Sequence, residues 1–357
     1  MNNISIKQIS TKSEINKFIS FPDKLYKDNK YRVPQLHSFE RSTLNPKKNP
    51  AFDYCEAKYW LAYRDGKIVG RIAGIINSKS NLIWDEKNAR FGWIDFIDDY
   101  DVSAALMATA EDWARSKGLS AIHGPMGFTD MDLEGMLVEG FEEIGTQAVI
   151  YNYPYYPTHL EKLGYSKDVD WVQLEITLTD KVPDKILRIS ELVQKKYDLK
   201  LLQLKKSKDI LPYAPSMFQT LNESCKDLYG FVPLTDKQIA YYTDQYFSMV
   251  DPQYTGFVVD KNDEVVGYGV AFLSLSKAFM KAKGKLYPFG FIPILKALRK
   301  NDTIDLFLHS VKPEYKNKGI PAIFYAAMTQ ACIDNNVTKA ITSHILEENK
   351  SSIQMFN

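Results

Sequence analysis

Hydrophobic and polar positions along the chain predict the same series of elements twice. In the first half, alternating positions at Ile4–Ile9 predict a strand, and Thr11 caps the helical pattern that follows. Two alternating runs joined by Asp65–Gly66 predict a β-hairpin, after which a strand at 91–97, a helix and another strand follow. The segment 21–50, rich in Pro, Asn and Lys, is predicted to be a surface loop packed on the sheet.

The second half repeats this order after a predicted linking helix. A strand is predicted at 199–206, and two helices follow within 209–250. A hairpin then leads to the segment 304–330, in which an apolar run passes through a basic turn into a helix. A last strand is predicted at 339–345.

Two domains of similar length follow from this repetition, residues 1–178 and 179–357, each of the α/β class with a mixed sheet. The run 170–176 is expected to close the first sheet. No such run is seen for the second copy, because the sequence stops at Asn357 within its last helical pattern. Either residues are missing, or something else completes the second sheet.

Composition changes this picture little. Of the 357 residues, 45% are apolar and 25% are charged, and 45 basic against 44 acidic residues give a formal net charge of +1. A chain so nearly neutral has no global field that attracts DNA. Cys55, Cys225 and Cys332 have no metal-like spacing, and the N-terminus lacks a signal-peptide stretch. With no run of about 18 apolar residues to span a membrane, a cytoplasmic protein without a metal is expected.

The turn at the centre of the segment 304–330 has the composition of an anion site. Backbone N–H groups at a helix N-terminus are unpaired and partly positive, so they can hold a phosphate or pyrophosphate. Lys316 and Lys318 add charge beside them, Gly319 lets a ligand approach the backbone, and Pro321 suits the first helical turn. Without a ligand, the same residues would make an ordinary basic turn.

This turn resembles the acyl-CoA-binding motif Q/R-x-x-G-x-G/A of the GNAT superfamily of N-acetyltransferases, with Lys316, Gly319 and Pro321 at the motif positions. Asn349 and Phe356 stand at the spacing of a further GNAT signature. In that signature the Asn begins a helix beside the pantetheine, and a Tyr, here Phe356, often protonates the departing thiolate. The chain therefore resembles a poorly characterised bacterial group of two-domain, tandem GNAT-like proteins.

The resemblance implies an acyl-CoA site in the second copy, with acetyl-CoA or another acyl-CoA as co-substrate. Two residues are candidates for the general base. Glu223 lies on a helix expected to close over the acceptor, where shielding would raise its pKa towards neutrality, and His309 lies on the strand before the turn. Each has a plainer interpretation, as a solvated carboxylate and as a hydrogen-bonded core histidine. The cofactor-binding residues implied are Ser310, Val311, Lys316, Asn317, Lys318, Gly319, Ile320 and Asn349.

In the first copy, residues 160–165 are similar to the sequence Y-E-K-L-G-F with which GNAT domains end. The turn that would bind a phosphate is lost in this copy. Asp98, Asp99 and Asp101 stand where that turn would be. These carboxylates would repel a pyrophosphate, although carboxylates cap a helix N-terminus well. No acyl-CoA is therefore expected in this copy.

The segment 124–156 of the first copy is rich in glycine, acids and tyrosine and is too long for a simple turn. Tyr151, Asn152 and Tyr155 are candidates for contact with the substrate, because tyrosine offers both a hydroxyl and a π-face. Alternatively, the tyrosines fill the interface between the two domains.

An insertion at 274–300 carries seven Lys or Arg residues and no acid, interleaved with aromatic residues. Three interpretations stay open. The sequence favours a lid over an anionic ligand, and the others are an amphipathic element at a membrane interface and a docking face for a partner.

The sequence and the resemblance together predict an acyltransferase that moves an acyl group, most often acetyl, from acyl-CoA to the primary amine of a small-molecule acceptor. The loss of an acid at Phe356 is not fatal, because alignment of amine and thioester supplies much of the rate. The alternatives are a binding protein that keeps the fold without chemistry, and a transferase that uses aminoacyl-tRNA. The identity of the acceptor and the oligomeric state are not predicted.

Overall fold

The computed structural model describes residues 4–246 and 250–356, so the part of a predicted helix that falls on 247–249 lies outside the described residues. The chain divides into two compact units. The first unit runs to Trp171 and includes Ser276–Pro293, and the second comprises Val172–Leu275 and the residues from Ile294 onward.

A five-stranded sheet forms the centre of the first unit. Its strands pair in sequence order, antiparallel throughout except for the last two, which are parallel and joined by a long helix. This is the predicted order of strand, helix, hairpin, strand, helix and strand. The elements up to residue 162 are β1 (Ile4–Ile9), α1 (Lys12–Leu25), α2 (His37–Thr43), β2 (Cys55–Arg64), β3 (Lys67–Asn77), α3 (Ser78–Ile83), β4 (Asn88–Phe96), α4 (Tyr100–Ser116), β5 (Ala121–His123) and α5 (Tyr155–Lys162).

Local sequence explains two of the junctions in this unit. Thr11 forms a capping box with Glu14 at the start of α1, so two N–H groups that the helix leaves unpaired find acceptors. Asp65 and Gly66 have φ of 49° and 73° in the two-residue turn between β2 and β3. Positive φ at both positions is the conformation that short hairpins prefer, because its twist matches the twist of the strands.

The predicted loop at 21–50 is partly helical. Helix α1 continues through Pro22 to Leu25, and α2 lies within the same stretch. Phe21 and Pro22 are buried. The apolar surface that they bury outweighs the low helix propensity of proline, which composition alone had suggested would end the helix.

The rest of the chain supplies a second set of elements. Among these, α9 belongs to the first unit, and α10 begins in the first unit and ends in the second. The elements are β6 (Trp171–Val172), β7 (Glu175–Thr177), α6 (Asp184–Tyr197), β8 (Lys200–Leu201), α7 (Ala214–Cys225), α8 (Asp236–Tyr246), β9 (Thr255–Val259), β10 (Val265–Leu273), α9 (Ser276–Ala282), α10 (Phe291–Ala297), β11 (Thr303–Val311), α11 (Pro321–Asp334), β12 (Lys339–Thr342), β13 (Ile345–Leu346) and α12 (Lys350–Ile353).

A six-stranded mixed sheet forms the second unit, in the order β7–β12–β11–β10–β9–β8. Strands β11 and β12 are parallel and are joined by α11, and the other pairs are antiparallel. Ile323 and Phe324 of α11 pack with Val193 of α6 in the core of this unit. The unit therefore repeats the strand–helix–parallel-strand arrangement of β4, α4 and β5.

The run 170–176, predicted to close the first sheet, pairs instead with the edge of the second. Strand β7 is antiparallel to β12 with Ile176 opposite Ala340, and the N–H of Leu178 donates to the carbonyl of Thr338 at 2.8 Å. Ile176 and Leu178 also pack against the core of the second unit. The edge of β12 thus gains both hydrogen bonds and apolar contact, and β7 is the element that completes the second sheet.

The middle of the insertion 274–300 packs with the first unit, although it follows β10 of the second unit in the sequence. The N–H of His37 donates to the carbonyl of Gly284 at 2.8 Å. A Cβ at Gly284 would lie 2.9 Å from the carbonyl oxygen of Gln35, so glycine allows this close contact. In the described part of the chain, no helix is long and apolar enough to cross a membrane.

Candidate functional site

The turn between β11 and α11 presents backbone N–H groups without partners. Asn317 and Gly319 have φ of 61° and 80°, which folds the chain back towards the helix. Among the described residues, nothing accepts a hydrogen bond from the N–H groups of Asn317, Gly319 or Ile320, and no side chain caps α11. Successive N–H groups beside a helix N-terminus form a concavity that favours an anion.

Two predicted cations of this turn have different surroundings. The Nζ of Lys318 lies 4.8 Å from the ring centroid of Tyr315 and 5.1 Å from that of Tyr197, so cation–π attraction holds it against tyrosine faces. Lys316 is exposed. Lys316 is therefore the cation of the motif that remains available to a bound anion.

Gly319 is required for a reason other than the predicted one. A Cβ at this position would lie 3.1 Å from the Cγ2 of Val193 and 3.3 Å from the Cγ2 of Ile189, both on α6. Its positive φ is also a conformation that side chains disfavour. The glycine therefore lets α6 pack against the turn, and a substitution here would disturb the fold as well as any ligand.

Strands β11 and β12 part beside this turn. Their pairing ends at Leu306 and Thr342, whereas β11 continues to Val311. The last contact is the N–H of Ser343, which donates to the carbonyl of Leu306 at 2.9 Å. Phe307 has no residue opposite it on β10, so a β-bulge reorients the strand at the point where pairing ends. In the described part of the chain, no strand thus lies beside one edge of the backbone of 307–311.

Asp305 is a buried carboxyl group next to this opening. It is 3% exposed, and neither of its oxygens accepts a hydrogen bond from a residue that the structure describes. Burial raises its pKa to about 7; the hydroxyl of Ser274 opposes this shift but does not meet hydrogen-bond geometry. An unpaired acid of this kind is typical of a site where a ligand or a proton is to be received.

Cross-strand pairing places Asp305 on the side of the sheet that faces α8. Residues directly opposite each other share a face, and Asp305 is opposite Phe272. The rings of Phe272 and Phe307 are 5.1 Å apart, and Phe307 lies 5.2 Å from the ring of Tyr246 on α8. This is the side predicted to receive the acceptor. Sequence reasoning missed Asp305, although a lone acid within the apolar run IDLFLHSV is a signal that could have found it.

His309 lies between two aromatic rings rather than in a hydrogen-bonded core. Its ring is 6.2 Å from that of Tyr325 and 6.1 Å from that of Phe356, and it forms no hydrogen bond with any described residue. Burial lowers its pKa to about 4. His309 is therefore neutral near pH 7, and its basicity is poorly matched to taking a proton from an ammonium group.

Glu223 does not have the shielded position that the sequence predicted. It is exposed on α7. Its neighbour Ser224 contacts the sheet instead, because the hydroxyl of Ser224 hydrogen-bonds to that of the buried Ser310.

Two further residues that the resemblance implied for cofactor binding lie elsewhere in this unit. Val311 packs against the core beside α11. Asn349 begins a helix, as the resemblance implied. Its Oδ1 accepts a hydrogen bond from the N–H of Ser352 at 3.3 Å and caps α12.

Tyr325 supplies a hydroxyl group that sequence reasoning missed. Its ring is 5.7 Å from that of Phe356, the residue that replaces the family's tyrosine. Burial raises the pKa of Tyr325 above its ordinary value, so the phenol keeps its proton at neutral pH. The structure thus brings together His309, Tyr325 and Phe356, from one strand, one helix and the C-terminal segment.

The first unit differs at the corresponding helix start. The carboxylate of Asp99 accepts hydrogen bonds from the N–H groups of Asp101 and Val102 at 3.1 and 3.3 Å, and caps α4 as predicted. The guanidinium of Arg64 donates to the same carboxylate at 2.7 Å and lowers its pKa. The N-terminus of α4 already holds an anion of the protein itself, so the described residues of this unit form no counterpart of the open turn before α11.

The polar atoms of the predicted substrate residues are used within the first unit. The amide of Asn152 bonds to both the N–H and the carbonyl of Leu137, at 2.7 and 3.0 Å. The hydroxyl of Tyr155 donates to the carbonyl of Phe96 at 2.6 Å, and that of Tyr151 donates to the carbonyl of Phe141 at 3.1 Å. These bonds would have to break before the hydroxyl groups could donate to a substrate, whereas the hydroxyl oxygen of Tyr155 can still accept a hydrogen bond.

Comparisons with known proteins agree with this geometry. The sequence model of the acetyltransferase (GNAT) family matches residues 217–357, which include β11, the open turn and α11. A solved tandem GNAT protein from the clavulanic acid biosynthesis pathway superposes with a TM-score of 0.54 at 12% identity, covering 99% of this chain and 93% of that one. Residues 217–357 therefore form a GNAT-family domain, and the chain as a whole has the tandem GNAT fold.

Two curated relatives extend over nearly the whole chain. Protein YghO of Escherichia coli (strain K12) is 28% identical, with 96% of this chain and 89% of that protein covered. A bacterial ceramide synthase of Caulobacter vibrioides (strain NA1000 / CB15N) is 26% identical, with 98% and 92% covered. The family match supports acyl transfer as the general chemistry. In the part of the chain that the structure describes, no group of three or more His, Cys, Asp or Glu side chains is arranged to hold a metal ion.

Proposed function

We propose that this protein is an N-acyltransferase that moves the acyl group of an acyl-CoA to a primary amine. The observation that carries the proposal is the row of unpaired N–H groups at Asn317, Gly319 and Ile320, within the segment that matches the GNAT family. The run 315–321 contains Lys316 and no acid, so its charge suits a pyrophosphate. These residues would hold the nucleotide end of the co-substrate, which when bound supplies an activated acyl thioester.

The acceptor is proposed to be a long-chain amine. A ceramide is an amide of a long-chain amino alcohol, so the Caulobacter relative's name describes a protein that joins an acyl group to such an amine. Its 26% identity over 98% of this chain favours the same substrate class here. With this proposal the acceptor is a lipid amine and the acyl group is a fatty acyl group, whereas the sequence alone predicted a small acceptor and an acetyl group.

Asp305 is the proposed proton acceptor in place of Glu223. An ammonium must lose a proton before its nitrogen can attack a thioester, and a buried carboxylate with a pKa of about 7 is a suitable base near neutral pH. The ammonium passes a proton to Asp305, and the C–N bond forms. The nitrogen then loses its second proton to solvent as the amide forms, the C–S bond breaks, and the thiolate takes a proton. Tyr325 is the proposed donor of that proton, because its phenol lies beside Phe356.

The test is a thiol-release assay with acetyl-CoA and a long-chain acyl-CoA against amines that range from short and polar to long-chain amino alcohols. Long-chain amines should be the best acceptors. Because Asp305 must be ionised to accept a proton, kcat/KM should rise as pH increases through about 7. Asp305→Asn should lower kcat by roughly 100-fold or more and remove this limb. Glu223→Gln is the matched control and should keep both the rate and the limb.

Three outcomes would contradict parts of this proposal separately. Equal rates for short polar amines would reject the long-chain acceptor alone. A limb lost in Glu223→Gln and kept in Asp305→Asn would reject the assigned base. If acyl-CoA binds and no amine releases thiol at any pH, the protein is not an N-acyltransferase, and a binding protein that keeps the fold without chemistry takes its place.

A further inference from the structure

A basic segment with exposed aromatic side chains belongs to the first unit, and we infer that it binds the surface of an anionic lipid membrane. We call residues 277–292 the basic tip. It lies within the insertion for which the sequence favoured a lid over an anionic ligand. Neither the GNAT fold nor the proposed acyl transfer requires such a surface.

The basic tip is a built structure. Phe279 of α9 is 1% exposed and anchors the tip in the first unit. After α9, the N–H of Phe291 donates to the carbonyl of Leu286 at 2.9 Å and closes a short loop. Gly290 lies so close to the carbonyl of Lys285 that no larger residue fits there. The backbone of the loop is thus closed by a hydrogen bond and has a position that only glycine can occupy.

Those side chains are large, apolar and exposed. Tyr287 is 80% exposed, Phe289 is 72% exposed, and the adjacent Phe291 and Ile292 are 39% and 41% exposed. The rings of Tyr287 and Phe291 are 6.3 Å apart, so they form one patch. A contiguous exposed patch of this kind marks an interaction surface, because exposure of apolar area to water is unfavourable.

Four cations and no acid accompany the patch. Lys277, Lys281, Lys283 and Lys285 are all exposed, and none forms an ion pair with a described residue. The stretch 276–293 contains no Asp or Glu. No ion pair with a described residue therefore neutralises these four charges, although the whole chain has a net charge of only +1.

An anionic bilayer satisfies both features at once. Lysine ammonium groups interact with anionic headgroups, while aromatic and aliphatic side chains insert at the boundary between headgroups and acyl chains. A single-stranded RNA would also attract the lysines and stack on the rings, but it offers little to Ile292 or to the edge of the patch at Phe289. The combination of an apolar end with a basic flank therefore favours the membrane.

The experiment measures sedimentation of the full chain with vesicles of phosphatidylcholine, with or without phosphatidylglycerol. Binding is expected to the anionic vesicles alone and should weaken as salt is raised. Changing Lys277, Lys281 and Lys285 to Glu should weaken it at least tenfold, and changing Tyr287 and Phe289 to Ser should do the same. The matched control changes three exposed lysines elsewhere in the first unit to Glu: Lys12, Lys17 and Lys47. It should bind as the unchanged protein does.

A second measurement does not depend on loss of binding. Phe289→Trp should shift its fluorescence to shorter wavelength on anionic vesicles, because the indole enters a less polar environment. Equal binding to neutral vesicles, or full binding by the lysine variant, would overturn the inference. So would binding of an RNA oligonucleotide without binding of vesicles. If the lysine variant weakens acyl-CoA affinity while vesicle binding is unchanged, the segment is a lid and not a membrane contact.

Discussion

Two buried aspartates show that the partners of a residue, rather than its burial, distinguish a structural acid from a candidate base. Burial raises the pKa of both Asp132 and Asp305 to about 7. Asp132 accepts hydrogen bonds from the N–H groups of Phe128 and Thr129 at 2.8 and 3.2 Å, and so holds its own loop together. Asp305 has no such partner among the described residues. Only Asp305 is therefore assigned to the chemistry.

Asp132 should make the stability of the first unit depend on pH. Its folded pKa of about 7 lies above its ordinary value of 3.8, so the carboxyl group stabilises the fold most when it is protonated, and this contribution is lost as pH rises towards 7. Asp132→Asn keeps an acceptor and cannot ionise. We expect it to raise Tm by several degrees at pH 8 and by distinctly less at pH 5, as measured by thermal unfolding followed by circular dichroism.

The control for this change is Asp85→Asn, at an exposed position whose φ of 52° asparagine also tolerates. That variant should leave Tm unchanged at both pH values. If Asp132→Asn lowers Tm equally at pH 5 and pH 8, the carboxyl group does not titrate in this range, and its role is confined to its hydrogen bonds.

Residues whose role is local could be predicted from sequence, and residues whose role is not local could not. Asp99 and Asn349 cap helices as their positions indicated, because a cap bonds to N–H groups two or three residues away. Asp305 depends on Phe272 and on Tyr246, which are distant in sequence. The exposure of Glu223 likewise depends on which side of α7 packs against the sheet. The spacing of residues in the sequence did not determine that side.

At the level of elements, the strands and helices with strong periodicity were predicted, and the pairing of a short edge strand was not. The hairpin of β2 and β3 and the succession β11, turn, α11 follow from local signals. Strand β7 has three residues, and its choice of sheet depends on which edge is open after both sheets form. No local pattern contains that information.

The contribution of β7 can be tested with two neighbouring proline variants. Leu178→Pro removes the N–H that donates to Thr338 and should lower stability by about 1 kcal/mol, because the strand pair loses a backbone hydrogen bond. Thr177 is exposed, and its N–H alternates to the open side of this edge strand. Thr177→Pro is therefore the control and should be nearly neutral in denaturant unfolding.

Hydrogen exchange would locate the effect of Leu178→Pro. We expect faster exchange of the amides of β12, at Lys339–Thr342, and unchanged exchange in β2 and β3 of the first unit. If the two proline variants are equally destabilising, the loss comes from restriction of the backbone and not from the hydrogen bond, and β7 is not needed to complete the second sheet.

At the scale of the whole molecule, two copies of one strand–helix–strand arrangement differ in the turn before the helix. Each unit has a strand, a crossing helix and a parallel strand, at β4–α4–β5 and at β11–α11–β12. The turn before α4 carries a carboxylate that caps the helix. The turn before α11 leaves the N–H groups of Asn317, Gly319 and Ile320 without an acceptor among the described residues. This asymmetry was visible in the sequence, because it depends on which residues adjoin a helix start and not on distant contacts.

One acyl-CoA should therefore bind to each chain, at the turn before α11. Lys316→Glu is the sharpest variant, since Lys316 is exposed, whereas a change at Gly319 would also disturb the packing of α6. Reversal of this charge beside a pyrophosphate should weaken affinity by roughly tenfold or more. Lys300→Glu is the matched control, because Lys300 is exposed, forms no ion pair with a described residue, and lies just before Thr303, at the other end of β11. Isothermal titration calorimetry with acetyl-CoA should give a stoichiometry of one for the unchanged chain and the control. Two equivalent sites, or an affinity that Lys316→Glu leaves intact, would show that the N-terminus of α11 is not where the co-substrate binds.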